Sequence, residues 1–434
     1  MGELISACLG QLCRFQAGDA FKKELQGRGQ GDFPFVKVSD MNIVGNEIYI
    51  RRSTNWVTDC DVSNHKYHIH QPGAVIFAKI GVALTYNRRR IVTIPTIIDN
   101  NMMAAEPNYD AVNPVYFYYL LSTIDFNEVS AGSALPYLTQ KDLSKIAVLI
   151  HPIGAQAEIA TLLGALDNKI ELNRQTNETL EALARAVFKD WFVDFGPTRA
   201  KAEGRPPYLA PELWELFPDA IDDEDKPVGW SYSTVGERFD VKIGRTPPRK
   251  EGWHFTEGSI GVPWLSIRDL ANCGAYVHET SEGLTEQSVK DYRVPVVAPD
   301  TVLVSFKLTV GRVAIAQRAM ATNEAIAHLN PIKGSPSSYF SYCWMQEFDY
   351  STLGSTSSIA TAVNSKSVKG MRFPKFGKEI EDEFSLLTEP LFKMLLNNSR
   401  ESRALAQTRD LLLPKLMSGE IRLKDAEQAV AEVA

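Results

Sequence analysis

From residue 157 to residue 192 the apolar positions follow a four-three spacing. Ile159, Leu163, Leu166, Ile170, Asn173, Asn177, Leu180, Ala184, Val187 and Trp191 fall on one seam. That pattern predicts a single helix, about 36 residues long and roughly 54 Å from end to end. A second seam of the same kind runs from Glu381 to Leu416 through Phe384, Leu387, Leu391, Met394, Asn398, Leu405 and Leu412. Pro390 lies inside it and predicts a kink or a late start. Both seams carry asparagine near the middle, where a polar residue costs stability but fixes the register of paired helices.

Ahead of each helix the pattern changes to short apolar runs. Val75–Phe77 and Val302–Val304 follow turn residues and read as buried strands, and Val310–Ala316 alternates weakly like another. These runs belong to an internal duplication. Phe33–Met41 aligns with Val262–Leu270, Gln71–Lys79 with Ala298–Lys307, and Gly132–Leu143 more loosely with Gly354–Val368. The offset is 229 at the first pair and 224 at the helices. The expected fold is therefore α+β, with two duplicated globular domains separated by two long helices packed as an antiparallel coiled coil. The expected boundaries are a first globular domain at 1–152, a helix at 153–196, an acidic, proline-rich linker at 197–226 (with a short helix around Pro211–Phe217), a second globular domain at 227–377, a helix at 378–423 and a tail at 424–434.

Charge changes the picture only when it is located. The 434-residue chain has a net charge of −7. The two expected globular blocks hold 14 Lys/Arg against 14 Asp/Glu and 16 against 13, while residues 153–226 hold 8 against 15. The acid sits in a helix and the linker, so the balance does not exclude a phosphate-binding surface. No apolar run approaches the roughly 18 residues of a bilayer span, and the first residues do not resemble a secretory leader. The five cysteines are scattered without a CxxC pair, as suits free thiols in a reducing compartment. A cytoplasmic protein without membrane partners is expected.

Several segments resemble the specificity subunits of type I restriction-modification systems. The most specific is Asp410-Leu-Leu-Leu-Pro-Lys-Leu-Met-Ser-Gly-Glu-Ile421, at the end of the second helix. Leu172–Leu180, Phe188–Phe192 and His151–Ile159 resemble the family's central region, and Arg199–Trp214 resembles one branch of it. The first helix lacks the doubled proline common at that point in the family. The resemblance covers nearly the whole chain, is specific in the helices and linker, and is loose in the globular domains. It implies two target recognition domains that read the halves of an interrupted, asymmetric site in double-stranded DNA. It also implies two modification (M) subunits docked on the helices, joined by restriction (R) subunits. Catalysis then lies in the partners, with S-adenosylmethionine in the methyltransferase and ATP and Mg in the restriction subunit, and this chain is not an enzyme.

Other chemistry is weaker on its own terms. Pro218-Asp219 with Glu224 and Lys226 spells a metal-nuclease shorthand, but the gap is too short for the paired strands such a site uses. Pro206-Pro-Tyr208 resembles an adenine-methyltransferase loop with Arg205 in place of the amide or carboxylate, and no phosphate-binding GxxxxGK[ST] occurs. Cys60, His65, His68 and His70 are metal-ligand types, with His68 and His70 on one strand face, but spacing alone completes no tetrahedron. No catalytic residue and no metal are expected. A scaffold that uses the helices without DNA remains the third class of reading.

Base reading needs Arg, Lys, Asn and Gln on elements that reach a groove. The candidates in the first domain are Lys22, Lys23, Arg28, Lys37, Lys79, Tyr137, Gln140 and Lys141, with Arg88–Arg90 as a further basic run. In the second they are Arg245, Arg249, Lys250, Arg268, Lys307, Arg312, Asn364, Lys366 and Lys369. Lys79 and Lys307 rank high because the duplication matches them.

Overall fold

The structure, a computed structural model, describes residues 3–132, 135–307, 309–353 and 365–431. The chain forms two compact units, one of Met1–Arg174 with Arg400–Ala434 and one of Gln175–Ser399. The two long helices, Ile153–Phe192 and Lys378–Met417, each give one half to each unit.

In the first unit, the strand Val75–Ala78 is buried along its whole length, which is why it reads as a continuous apolar run. It lies at the centre of a five-stranded sheet in the order Cys13–Ala17, Met102–Pro107, Val75–Ala78, Arg89–Val92, Tyr49–Ile50. Only the last pairing is parallel. A smaller sheet joins Trp56–Val57, Phe33–Val36 and Ile97–Ile98, and Ile5–Cys8 pairs with Ala147–Ile150. The helix Pro114–Ser122 starts cleanly because Asn113 accepts from the backbone N–H groups of Val115 and Tyr116, and proline takes the first helical position. It buries Tyr116, Phe117, Tyr119, Leu120 and Leu121 against the sheet and the long helices.

The second unit repeats the main sheet and the two-stranded pair, but its smaller sheet has five strands where the first unit's has three. Its main sheet runs Phe239–Ile243, Ile326–Pro331, Val302–Ser305, Val313–Ala316, Tyr276–Val277. Cys13 opposes Pro107 in one unit and Phe239 opposes Pro331 in the other. A glycine recurs at a matched close approach. A Cβ on Gly10 would come 2.9 Å from Ser144 Cβ, and one on Gly236 would come 3.2 Å from Lys369 Cβ. The short helices Leu9–Leu12 and Gln140–Ser144 can therefore nest, as Val235–Arg238 and Ser365–Lys369 do.

Within each unit the halves of the long helices run antiparallel, and their polar seam residues partner one another. In the first unit Asn173 Nδ2 donates to Glu401 (2.7 Å), and Arg409 reaches the Asp167 carboxylate (2.5 Å). In the second, Asn398 Nδ2 donates to Asn177 Oδ1 (2.9 Å), and Asn177 Nδ2 donates to Ser399 Oγ (3.2 Å). Ile159, Leu163 and Leu166 are buried, and Ile170 and Leu180 are half-buried. Leu405 is buried as expected. Leu387 and Met394, assigned to the seam by spacing, are 46% and 49% exposed. The buried face there passes through Phe384, Thr388, Phe392 and Leu395 instead. The reason is local packing: Phe392 is drawn against Tyr276, Tyr339 and Tyr342 of the globular part, which rotates the face by one position. The second helix begins at Lys378 and continues through Pro390 as one element, so no late start occurs.

The acidic stretch 197–226 carries the helices Gly196–Ala202 and Pro211–Trp214, and it packs Trp214 and Phe217 down among buried neighbours. Lys201 holds Asp219 (3.0 Å), while Lys226 bonds Asp222 (2.5 Å) and Glu224 (2.8 Å). These carboxylates are occupied by local cations and do not converge as the nuclease shorthand would require. Residues Leu423–Ala431 form a helix that buries Ala426 in the first unit's core. Among the described residues, no helix is long and apolar enough to cross a membrane.

Two expectations follow. Arg409→Ala strands the Asp167 carboxylate, whose side chain is 1% exposed, and should cost about 3–5 kcal/mol in denaturant unfolding. His328 is buried and its imidazole is pushed down to about 4, chiefly by desolvation, so the unfolded chain takes up its proton first. Stability should be complete above about pH 6.5 and fall as pH drops towards 4, by roughly 3 kcal/mol in all. His328→Gln should flatten that part of the pH profile in unfolding measurements.

Candidate nucleic-acid interface

The basic candidates of the first unit fall in three places. Lys22 and Lys23 are exposed beside the short turn Lys23–Leu25. Arg28 is exposed as well, but its guanidinium bonds Asp61 (3.1 Å), which weakens its claim on a phosphate. Lys37 is half-buried and opens the turn Val38–Asn42 by donating its backbone N–H to the Asp40 carboxylate (2.8 Å).

Lys79 and Tyr137 come together at the end of the central strand. Ile80 bridges Tyr137, and the Lys79 carbonyl accepts from Leu138 (2.9 Å). Lys79 is half-buried, whereas Tyr137 is 44% exposed. Gln140 and Lys141 are exposed on the helix Gln140–Ser144, which Thr139 caps by accepting from the Asp142 N–H. They share a surface cleft with Arg14 and Gln16, which sequence reasoning missed. The available signal was period-two alternation on Cys13–Ala17, which turns Arg14 and Gln16 outward between buried Cys13 and Phe15.

The run Arg88–Arg90 is spent inside the domain. Arg89 is 4% exposed, lies 4.0 Å from the Phe126 ring centre and donates to the carbonyls of Asn87 and Ile124. Burial holds it down at about 10. Arg90 donates to the Met41 carbonyl (3.0 Å), and Arg88 bonds Asn42.

In the second unit Arg245 and Arg249 gather round Trp264. Arg245 is exposed and donates to the Tyr292 carbonyl (2.6 Å), and its own carbonyl accepts from Trp264 Nε1 (3.2 Å). Arg249 forms two bonds to Glu282 (2.5 and 2.8 Å) and stacks over Phe255 and Trp264. Glu282 holds the Arg249 guanidinium above its ordinary value, so Arg249 acts first as a brace. Lys250 is exposed beside it, and Arg268 is exposed on the helix Ile267–Leu270.

Lys307 is exposed and Arg312 half-buried in the hairpin that Val302–Ser305 and Val313–Ala316 form. The register that sets Val75 opposite Ala105 and Val302 opposite Leu329 makes Phe306 the counterpart of Lys79, so Lys307 stands one residue beyond the expected match; of the two lysines only Lys307 presents a fully exposed side chain. Lys366 and Lys369 are exposed on Ser365–Lys369, the counterpart of the helix that carries Gln140 and Lys141. Asn364 lies outside the described residues.

The four metal-ligand types read from the sequence separate. Cys60 is exposed on the helix Asp59–His65, while His68 and His70 both reach Glu106. Glu106 is 38 residues from His68, a separation that no local spacing rule can reveal.

Residues 4–182 match the model of the type I restriction modification DNA specificity domain. The chain is similar to the MjaIX specificity subunit of a type I restriction enzyme from Methanocaldococcus jannaschii, 27% identical over 91% of this chain and 88% of that protein. It is also similar to the HindI specificity subunit from Haemophilus influenzae, 25% identical over 88% of this chain and 96% of that one. Among solved structures, the S subunit of a type I restriction-modification system from M. genitalium shares the fold, with a TM-score of 0.55 and 14% identity over 95% of this chain and 96% of that chain.

Proposed function

We propose that this chain is a specificity subunit of a type I restriction-modification system, and that its two globular parts are target recognition domains for the two halves of one interrupted DNA site. The observation that carries this reading is the duplication: one strand order, one edge register and one pair of nested helices occur twice in a single chain. Two such readers in one molecule bind together more tightly than either alone, because the second contact is intramolecular. Their sequences differ around a common scaffold, which suits an asymmetric site.

Lys141 and Lys366, carried on counterpart helices, and Lys307 would position phosphates. Arg245, Arg268 and Gln140 would reach base edges. The long helices would dock two methyltransferase subunits. Leu172 and Leu183 on the first and Leu386, Leu387, Met394 and Leu411 on the second are exposed apolar side chains available for that contact. The chain itself would be non-catalytic. The methyltransferase would bring S-adenosylmethionine and turn out one adenine in each half-site, and a restriction subunit would bring ATP and Mg.

Co-expression with a type I methyltransferase subunit from the same source, followed by single-molecule mapping of methylated adenine, tests the reading. A split motif with a fixed gap, absent when this chain is omitted, is the expected result. Methylation that persists without the chain, or that marks an unbroken motif, contradicts it. For the assembled methyltransferase, Lys307→Ala and Lys366→Ala should each weaken DNA binding alike on all sequences and lower the salt slope by about 1.

A further inference from the structure

The first unit brings two imidazoles and a carboxylate to one spot. His68 Nε2 lies 2.9 Å and His70 Nδ1 2.8 Å from the same Glu106 oxygen, and the ligand-type atoms of all three fall within 4.8 Å of one another. Backbone pairing fixes the arrangement. His70 exchanges N–H···O bonds with Thr96 (2.8 and 2.9 Å), and the His68 N–H donates to the Asp19 carboxylate (2.7 Å). Glu106 sits in the strand Met102–Pro107, opposite Arg14. His70 is wholly buried and its Nε2 has no partner, so the polar work of this ring is done at Glu106. His68 and Glu106 have side chains 35% and 24% exposed, which leaves the spot open on one side.

The duplicate shows that the fold does not require this group. Glu106 precedes the proline that faces Cys13, and its counterpart before the proline that faces Phe239 is Asn330. The bridge between His70 and Thr96 is matched by Val297 with Met320, and two residues earlier Pro295 stands in the place of His68. An architecture that closes with Pro, Val and Asn gains no necessary core contact from His, His and Glu. The triad is an addition to one copy.

We infer that His68, His70 and Glu106 bind a divalent transition-metal ion of the zinc class, with solvent completing the coordination shell. Two imidazole nitrogens and one carboxylate oxygen are the borderline donor set that suits zinc, cobalt or nickel, rather than the all-oxygen set of magnesium or calcium. An ion with bonds of about 2.0–2.1 Å holds tetrahedral ligand atoms about 3.3 Å apart, so each imidazole nitrogen would move a few tenths of an ångström away from the Glu106 oxygen. Once bound, it ties the segment His68–His70 to a strand of the main sheet.

The test uses the full chain, stripped with a chelator and titrated with Co²⁺, followed by the visible absorption of the bound ion. Saturation near one equivalent is expected. His68→Ala, at a partly exposed position, and the isosteric Glu106→Gln should each weaken binding at least tenfold, and Zn²⁺ should raise the thermal midpoint of the wild type but not of either variant. An unaltered spectrum in the wild type overturns the inference. So does binding of equal affinity in both variants, which would place the ion elsewhere.

Discussion

The first unit can bury the Asp167 carboxylate only because two distant segments reach it. The side chain is 1% exposed, with Arg409 supplied from 242 residues later in the chain and the Tyr119 hydroxyl from 48 residues earlier. Burial pushes the carboxyl above its ordinary value, against the pull of Arg409 and Tyr119, so the group is tolerable in its charged form only while both remain. The unit therefore cannot be completed by the first 174 residues alone. Its core includes Leu412, Leu416 and Met417, and the buried His151 ring is held by the Leu416 carbonyl (2.8 Å). The C-terminal run that most resembles the specificity subunits is, physically, a wall of the first unit.

Much of the architecture was legible because it repeats or is periodic. The long helices follow from heptad spacing, and Asn173, Asn177 and Asn398 were identifiable as polar seam positions that meet hydrogen-bonding partners. The duplication was legible from segments such as Phe33–Met41 and Val262–Leu270, which become corresponding strands and the turns after them. Leu387 and Met394 were not legible, since a heptad describes a helix against a helix and Phe392 answers instead to three tyrosines of the globular part. The stretch 197–226 was read by its prolines and acids, yet Trp214 and Phe217 are what bury it.

The candidate site was less legible, because charge in a sequence does not say where the charge is spent. Arg88–Arg90 looked basic, but Arg89 is buried on Phe126 and Arg90 caps a carbonyl. Arg249 looked like a base reader and is braced by Glu282, whose partnership is invisible at 33 residues' separation. Arg14 and Gln16 drew no notice because they are single polar residues on a strand, and only the neighbouring Gln140–Ser144 helix turns them into part of a cleft.

On the proposed reading, the duplicated globular parts act as separate readers of the two half-sites. Exchange of residues 227–377 for the corresponding part of a relative with a different target, followed by mapping of methylated adenine, tests it most directly. One half of the motif should change while the other half stays as it was. A motif altered in both halves, or in neither, would contradict it.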